Sequence, residues 1–429
     1  MKRRLSQLRT CLLPILILSL LLSLPAGAEG FTPRLDAGTE GELTVVGSYS
    51  NFEALESAFE RFGAYYPNVS GKYVRLDDYN ATVQLSLLSP EGPDVYCTSA
   101  WMIGRDDYRQ IFESAENLAD PELGIALSEV NGRLLYEDED GNVPMLPVFS
   151  TTFGMLVNED VFEANGLAVP TTYPELLDVC DRLREAGYEN PVMGYNDMSG
   201  LFYQLTYPWI CSLVRENGGL ADRLNAMEPE AAEFLRPVLE RIRDFVDRGC
   251  VDPEACNELT DSYNAVIMRF FEGGVPMMLT NGDTVSGTLK RESQSEAYVS
   301  RPFRYSFCPV PVTEEGARFY DLTSLCFAVN RNSENLDLAN EFIRFLCTTE
   351  ELNNMAKIKR LVSVTNDLSY DEMYAQFTRV DADHTLYEQE IGLLDYAQRQ
   401  IRAALYWVGN GVMTADEAIA GYGSLQETK

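Results

Sequence analysis

Short apolar strands and amphipathic helices alternate along most of the chain. Residues 42–48, ELTVVGS, predict a strand, and apolar residues spaced three or four apart between Phe52 and Tyr66 predict a helix. Ser50 and Glu53 have the spacing of a capping box at the start of this helix. The strand, its polar loop and the capped helix form one α/β unit.

The alternation continues beyond this first unit. Asp94–Cys97 predicts a strand that ends before Trp101, and residues 134–146 predict a hairpin with its turn at Asp140 and Gly141. A further helix is capped by Thr172 and Glu175 and closed by Gly187. The other predicted helices lie over 230–249, 264–271 and 336–346, and a helical pattern continues from 361 to the end. The other predicted strands lie over 275–279, 304–312 and 323–329. The sequence has no internal repeat or long linker, so two lobes would have to be connected by several crossings.

The first 28 residues have the pattern of a secretory signal peptide. Four basic residues precede an apolar run over 11–24, and residues 26–28, AGA, provide a small-residue cleavage site. The run has about 14 residues, short of the roughly 20 that span a bilayer. A lipid anchor would need a cysteine just after the run, whereas Cys11 lies at its start, so we expect an exported protein without a lipid anchor.

The charge of the chain argues against nucleic acid or anionic lipid as a partner. The net charge is −32, and removal of the four basic residues of the signal peptide makes it −36. Phosphate binding requires clustered Lys and Arg. A cationic ligand is compatible with this charge, but the acids are spread along the whole chain, which favours a solvated surface.

Eight cysteines follow the signal peptide, and most lie in apolar periodic segments, where cysteine acts as a small core hydrophobe. Cys250 and Cys256 instead lie in the polar sequence GCVDPEACN, so they form the one candidate disulfide.

The sequence lacks the usual signatures of catalysis. His384 is the single histidine, which excludes a His-containing metal cluster and leaves one candidate base for a Ser-His-Asp arrangement. Its polar neighbours, VDADHTLYE, favour a surface position. No phosphate loop, H-E-x-x-H, G-x-S-x-G or C-x-x-C sequence occurs, and we expect neither a metal nor a cofactor.

Six blocks of the sequence occur in the order seen in one known family. They are AFERFGAYYPNV, DDYNATVQLSLLSPEGPDVY, DGNVPMLPVFSTTFGMLVNEDVFEANGLAVPTTYPELLDVCDRLREAG, FFEGGVPMMLTNG, LCFAVNRNSENLDLANEFIRFLCTTEELNNMA and NGVMTADEAI. Together they resemble the extracellular solute-binding proteins of bacterial ABC importers, family 1, which includes maltose and oligosaccharide binders. The resemblance covers nearly the whole mature chain. The family often has Trp shortly after the NG of the fourth block, where this chain has Asp283 and Thr284.

The resemblance implies an α/β, two-lobe periplasmic-binding-protein-like fold of type II, with a ligand cleft between lobes that are linked by several hinge crossings. We expect lobe 1 over 29–148 and 326–366, lobe 2 over 149–325 and 367–429, and crossings near 146–152, 320–328 and 362–372. A ligand that contacts both lobes would favour their closure.

Sugar sites combine aromatic platforms with polar side chains that hold hydroxyl groups. Trp101 is the best platform candidate because it follows the carboxyl end of a predicted strand; core packing is its alternative. The other candidates from the sequence are Tyr207 and Trp209, for which the buried face of a helix is the alternative, and the loop residues Tyr49, Asn51, Thr151, Asn281 and Asp283. Asn281 could instead form a turn. The resemblance adds Tyr396, because the family often presents an aromatic residue to the cleft from this region.

These observations predict the substrate-binding component of an ABC import system, which captures a sugar or oligosaccharide by hinge closure. We expect a monomer, periplasmic or extracellular, held at the outer face of the cytoplasmic membrane through its permease. The resemblance implies two permease subunits and an ATPase as partners. The alternatives are an exported carbohydrate-active enzyme, which needs two essential acids facing each other across the cleft, and a sensory module not coupled to transport.

Overall fold

The computed structural model describes residues 30–89, 91–103, 105–257, 263–367 and 371–426. The predicted signal peptide lies outside the described residues and stays a prediction. No helix in the described ranges is both long enough and apolar enough to cross a membrane.

Strands and helices alternate along the chain. The strands are β1 Glu40–Gly47, β2 Asn68–Arg75, β3 Val95–Thr98, β4 Leu146–Thr151, β5 Phe153–Asn158, β6 Val192–Met193, β7 Met277–Asn281, β8 Tyr305–Cys308, β9 Phe319–Val329 and β10 Thr385–Tyr387. The helices are α1 Glu53–Gly63, α2 Tyr79–Leu87, α3 Arg109–Glu113, α4 Glu159–Ala164, α5 Tyr173–Glu185, α6 Leu201–Glu216, α7 Leu220–Asn225, α8 Arg236–Asp247, α9 Pro253–Asn257, α10 Tyr263–Phe271, α11 Gly282–Ser286, α12 Thr288–Gln294, α13 Glu296–Ser300, α14 Leu336–Leu346, α15 Thr349–Lys359, α16 Asp395–Gly409 and α17 Ala415–Ala420.

The strands in the described ranges form two sheets. The first has six strands, in the order β10-β9-β3-β1-β2 with β4 also paired to β9; β1 is parallel to β2 and β3, whereas β9 is antiparallel to β3 and β4. The second has four strands in the order β6-β7-β5-β8, with β5 antiparallel to both of its neighbours. Helices connect most of these strands, which makes the fold α/β.

Each sheet belongs to its own hydrophobic core. Phe52, Phe149 and Phe327 lie in the cluster around the first sheet, and Phe153 and Tyr320 lie in the cluster around the second. The chain passes between the clusters at 149–153, 320–325 and 362–364. The architecture is therefore two lobes joined by β4, β9 and the segment around residue 363. The full set of lobe boundaries stays a prediction.

Three predicted local features differ from the structure. The N-cap of α1 is Phe52 and no side chain caps this helix, so the Ser50–Glu53 capping box is wrong. The first strand of the predicted hairpin is also absent from the described chain, because the Asp138 carboxylate accepts backbone N–H bonds from Asp140 and Asn142 and folds the segment into a loop. Residues 372–390 form 3-10 turns and β10 instead of a helix.

The predicted disulfide is not formed in the structure. Cys250 and Cys256 are both buried free thiols. Cys250 lies against Cys180, whereas Cys256 belongs to α9 and lies beside the backbone of Gly194.

Candidate ligand-binding site

Strands β4 and β9 pair where the chain passes between the lobes, and one face of this pair is polar. Ser150 lies opposite Thr323, and Asp321 lies two residues before Thr323, so its side chain is on the same face. All three residues are buried, and Asp321 has an exposed fraction of 0%. Their side-chain oxygens have no hydrogen-bond partner within the described ranges. An unpaired buried polar group costs on the order of 1–3 kcal/mol. These three residues, called the polar row below, therefore require polar partners from outside the chain.

A second acid, Glu388, lies close to Asp321 and Thr323 of this row. Glu388 begins the 3-10 turn Glu388–Glu390, directly after β10. Burial raises the pKa of Glu388 to about 7; Arg402 opposes the rise, as do the backbone and the hydroxyl of Thr323, although that hydroxyl lies outside hydrogen-bonding geometry. Burial also raises the pKa of Asp321 to about 7; the Ser150 hydroxyl opposes the rise, but it lies outside hydrogen-bonding geometry, and the charge of Glu388 adds to it. Both carboxyl groups are therefore close to half protonated near neutral pH.

Arg402 extends from α16 to the same region. Its guanidinium carbon lies 4.9 Å from the ring centre of Tyr203 on α6, and its Nη2 donates to Oε1 of Gln398 at 3.1 Å. Its Nε has no hydrogen-bond partner in the part of the chain that the structure describes. Arg402 can thus offer a donor to a ligand while its packing on an aromatic ring fixes its position.

The loop after β3 approaches the start of α16 from the other lobe. Trp101, 42% exposed, packs edge to face with Tyr108 at 5.2 Å, and the guanidinium carbon of Arg105 lies 5.3 Å from the Trp101 ring centre. Nη1 of Arg105 lies 3.8 Å from Oδ2 of Asp395. The exposed aromatic face of Trp101 therefore stands beside a contact between the lobes.

Another polar group lies beside Ser324, the next residue along β9 after Thr323. Oγ of Ser324 donates to Oδ1 of Asp283 at 2.6 Å, and Nζ of Lys359 lies 4.9 Å from the Tyr49 ring centre. Burial raises the pKa of Asp283, against the opposing effects of Ser324 and Lys359. Tyr49 and Lys359 of the first lobe thus meet Asp283 of the second, but here the carboxylate already has partners.

One cavity of the described structure lies away from this junction. It has a volume of about 530 Å³ and is lined by residues of the second lobe, among them Asn158, Tyr188 and Phe303. Its lining includes no residue of β4 or β9, so it does not coincide with the polar row. The chemistry at the lobe junction, rather than cavity size, defines the candidate site.

Five predicted site residues lie at or near the junction. Tyr49 and Asp283 meet there, and Trp101 lies beside the contact of Arg105 with Asp395. Thr151 ends β4, buried, with a hydroxyl that lacks a partner among the described residues. Asn281 caps α11, since its Oδ1 accepts from the backbone N–H of Thr284 at 3.1 Å.

The other predicted residues make contacts away from the polar row. The ring of Tyr207 is buried against Tyr203, Tyr320 and Phe153 in the core of the second lobe. Trp209 packs beside Arg241 of α8, whose guanidinium carbon lies 5.2 Å from its ring centre. Two further side chains are exposed: Asn51 donates to Glu53 at 2.8 Å, and Tyr396 donates to the carbonyl oxygen of Gly423 at 3.1 Å.

Sequence reasoning missed Ser150, Asp321, Thr323, Glu388, Arg402 and Lys359 as candidate site residues. The predicted strand begins at Thr323, whereas β9 begins at Phe319, so the prediction leaves Asp321 outside the strand. An acid inside a long apolar strand was the available signal, because burial of an unpaired carboxylate is costly and calls for a functional reason.

The chain matches the family model described as bacterial extracellular solute-binding protein over residues 57–379. It is 22% identical over 318 residues to YcjN of Escherichia coli strain K12, a candidate ABC transporter periplasmic-binding protein; the match covers 70% of this chain and 66% of YcjN, just under two thirds. Its structure is similar to that of apo RafE from Streptococcus pneumoniae, with a TM-score of 0.68, 15% identity and coverage of 90% of this chain and 97% of RafE. It is also similar to the GacH receptor of Streptomyces glaucescens, with a TM-score of 0.65, 18% identity and coverage of 89% and 96%.

The structural similarities define the class of protein, the two-lobe periplasmic-binding-protein-like fold of type II, and so confirm the predicted fold. The family match covers most of the chain, and the protein belongs to the bacterial extracellular solute-binding protein family. This is a family of binding proteins rather than enzymes.

Proposed function

We propose that this protein captures a carbohydrate between its lobes and delivers it to an ABC permease at the outer face of the cytoplasmic membrane. The observation that carries the proposal is the row of unpartnered buried oxygens on Ser150, Asp321 and Thr323, at the junction of the lobes. RafE has been solved in complex with raffinose, and GacH in complex with acarbose; both support a carbohydrate ligand here. The name of YcjN supports a role in ABC transport.

In this proposal the ligand contacts both lobes and draws them together. Trp101 provides an aromatic face from the first lobe, and Arg402 provides an N–H donor from the second. A closed monomer is then recognised by the permease subunits. The lobe boundaries given above and export after cleavage at Ala28 belong to the same proposal.

Titration with a panel of mono- and oligosaccharides tests ligand capture, with tryptophan fluorescence and melting temperature as readouts. A carbohydrate present at 100 times its dissociation constant should stabilise the folded protein by about 2.7 kcal/mol. The absence of any response to the whole panel would overturn the carbohydrate assignment. Loss of uptake of the same sugar from cells that lack the protein, restored by its expression, tests delivery to a permease.

Two tryptophan variants locate the binding surface. Trp101→Ala removes the exposed ring at the junction and should weaken carbohydrate binding by about tenfold or more, as loss of a buried aromatic contact does. Trp209→Ala is the matched control, because Trp209 packs beside Arg241, and its dissociation constant should stay within about twofold of the wild type. Equal effects of the two substitutions would contradict the proposed site.

A further inference from the structure

We propose that the carbohydrate bound at this site carries a free amino group, which Asp321 and Glu388 hold as an ammonium ion. The inference rests on the proposed function and narrows its ligand to amino sugars.

The charges around the polar row do not balance when Asp321 and Glu388 are both ionised. Three carboxylates, those of Asp321, Glu388 and Glu390, lie in this region with two guanidinium groups, those of Arg133 and Arg402. Arg133 is committed to Glu390, because its Nε and Nη2 donate to the two carboxylate oxygens at 2.5 and 2.6 Å. Arg402 is the cation that faces Glu388. With both acids ionised, one negative charge is left at Asp321; in the free protein a bound proton neutralises it, and a ligand that brings a positive charge would replace that proton.

The hydrogen-bonding capacity of the row points to the same chemistry. An ionised carboxylate only accepts hydrogen bonds, and both oxygens of Asp321 lack a partner within the described ranges. An ammonium group brings three N–H donors together with its charge, so it can serve Asp321, Glu388 and one of the hydroxyl groups of Ser150 and Thr323 at once. A neutral sugar hydroxyl brings one donor and leaves the buried charge uncompensated.

The charged and titratable groups around Asp321 agree with this assignment. Asp321 is faced by Glu388, by Arg133 and by Tyr374; burial raises the pKa of Tyr374 further above its usual value, so this side chain stays neutral. Burial holds the pKa of both acids at about 7 in the free protein. A bound ammonium ion would favour the ionised form of both and would therefore release protons on binding. A neutral ligand would not cause this release.

Three disaccharides with the same β-1,4 linkage test the inference: the glucosamine dimer, its N,N′-diacetyl form and cellobiose. They present an ammonium, an acetamide and a hydroxyl group at the same carbon. Sugars with amines at other ring positions complete the panel, and calorimetry at pH 7 in two buffers of different ionisation heat measures affinity and proton release. We expect an amino sugar to bind at least tenfold more tightly than its acetylated and hydroxyl counterparts, with proton release.

Two variants connect this preference to the acids. Asp321→Asn should weaken binding of the preferred amino sugar at least tenfold, and Glu388→Gln should weaken it in the same direction. Asp178→Asn removes one exposed carboxylate from α5 and is the control for net charge; its affinity should stay within twofold of the wild type. Circular dichroism and thermal melting confirm that each variant is folded, and if Asp321→Asn fails to fold, Glu388→Gln alone decides.

The outcomes separate this inference from the proposed function. Tightest binding by a neutral sugar, or unchanged affinity for the amino sugar in the folded variants, would overturn the amino-sugar assignment and leave carbohydrate capture intact. Binding of simple amines without any binding of amino sugars would overturn the carbohydrate assignment. Failure of every carbohydrate to bind would overturn both.

Discussion

At the scale of single residues, Asp321 shows how a binding site can reduce the stability of the protein that carries it. Its carboxylate is buried without a partner among the described residues, on a strand whose neighbouring positions are mostly apolar. Burial therefore favours the protonated form, and its pKa rises to about 7 from an unfolded value near 4. The folded protein holds a proton that the unfolded chain would release between pH 4 and pH 7. A residue this unfavourable in the free protein is consistent with selection for binding.

The stability of the free protein should consequently fall as pH rises through this window. The effect of Asp321 on the free energy of unfolding is absent below about pH 4. Above pH 7 it lowers this free energy by on the order of 4 kcal/mol. In Asp321→Asn this titration is removed, so the free energy of unfolding of the variant relative to the wild type should increase by about 2–3 kcal/mol from pH 5 to pH 8. Urea unfolding at the two pH values measures the difference, with Asp178→Asn as a control that should follow the wild type. A difference that does not change with pH would show that Asp321 does not titrate in this way.

The sequence could predict that Trp101 lies in the loop after a strand, but it could not predict whether Tyr207 is buried in the core. The residues of β3 are enough to predict this strand. The loop that contains Trp101 follows directly from the end of the strand, so its position depends only on the local sequence. The position of Tyr207 depends on Phe153 and Tyr320, which come from distant parts of the chain and enclose its ring. The apolar pattern of the α6 sequence is compatible with a position of Tyr207 in the ligand site and with a position in the buried core.

At the scale of elements, local patterns predicted helices best where one apolar face decides the structure. The helix expected over 336–346 is α14 with the same bounds, since Leu338, Phe342 and Phe345 form a stripe that is buried on one core. The segment over 372–390 was predicted as a helix and is wrong, because it is held by contacts with other parts of the chain. In particular, β10 pairs with the start of β9, whose sequence lies more than fifty residues away.

Helix caps provide a prediction at the same scale. Thr414 and Glu417 form a capping box at the start of α17, and the side chain of Thr414 accepts from the backbone N–H of Glu417 at 3.2 Å. Thr414→Ala should destabilise this helix by about 1 kcal/mol, with faster hydrogen exchange of the Glu417 amide. Ser50→Ala is the matched control, because Ser50 fits a capping pattern in the sequence but does not cap α1. Equal losses of stability in the two variants would contradict the assignment of the caps.

At the scale of the whole molecule, the proposed closure of the lobes depends on contacts across the lobe junction. The Ser324–Asp283 bond joins β9 to the second lobe, and Nη1 of Arg105 in the first lobe approaches Asp395 at the start of α16. Most of the acidic residues at the surface contribute to solubility and have little effect on the equilibrium between open and closed forms. The few charged groups that face each other between the lobes therefore affect closure in a way that the net charge of the protein does not predict.

The contact between Arg105 and Asp395 leads to a testable consequence for closure. Partly exposed ion pairs contribute about 0.2–1 kcal/mol, so Asp395→Asn should favour the open form and raise the dissociation constant of the ligand by a factor of about 1.5 to 5. Small-angle scattering should show a larger radius of gyration for the ligand-free variant and an unchanged value for the saturated one.

Asp107→Asn is the matched control: Asp107 accepts two bonds from the same Arg105 but belongs to the same lobe, so its loss leaves the contact between lobes in place. A double-mutant cycle with Arg105→Gln isolates the pair from the interaction of Asp395 with Arg399. A coupling energy of zero in that cycle would show that this ion pair does not contribute to closure.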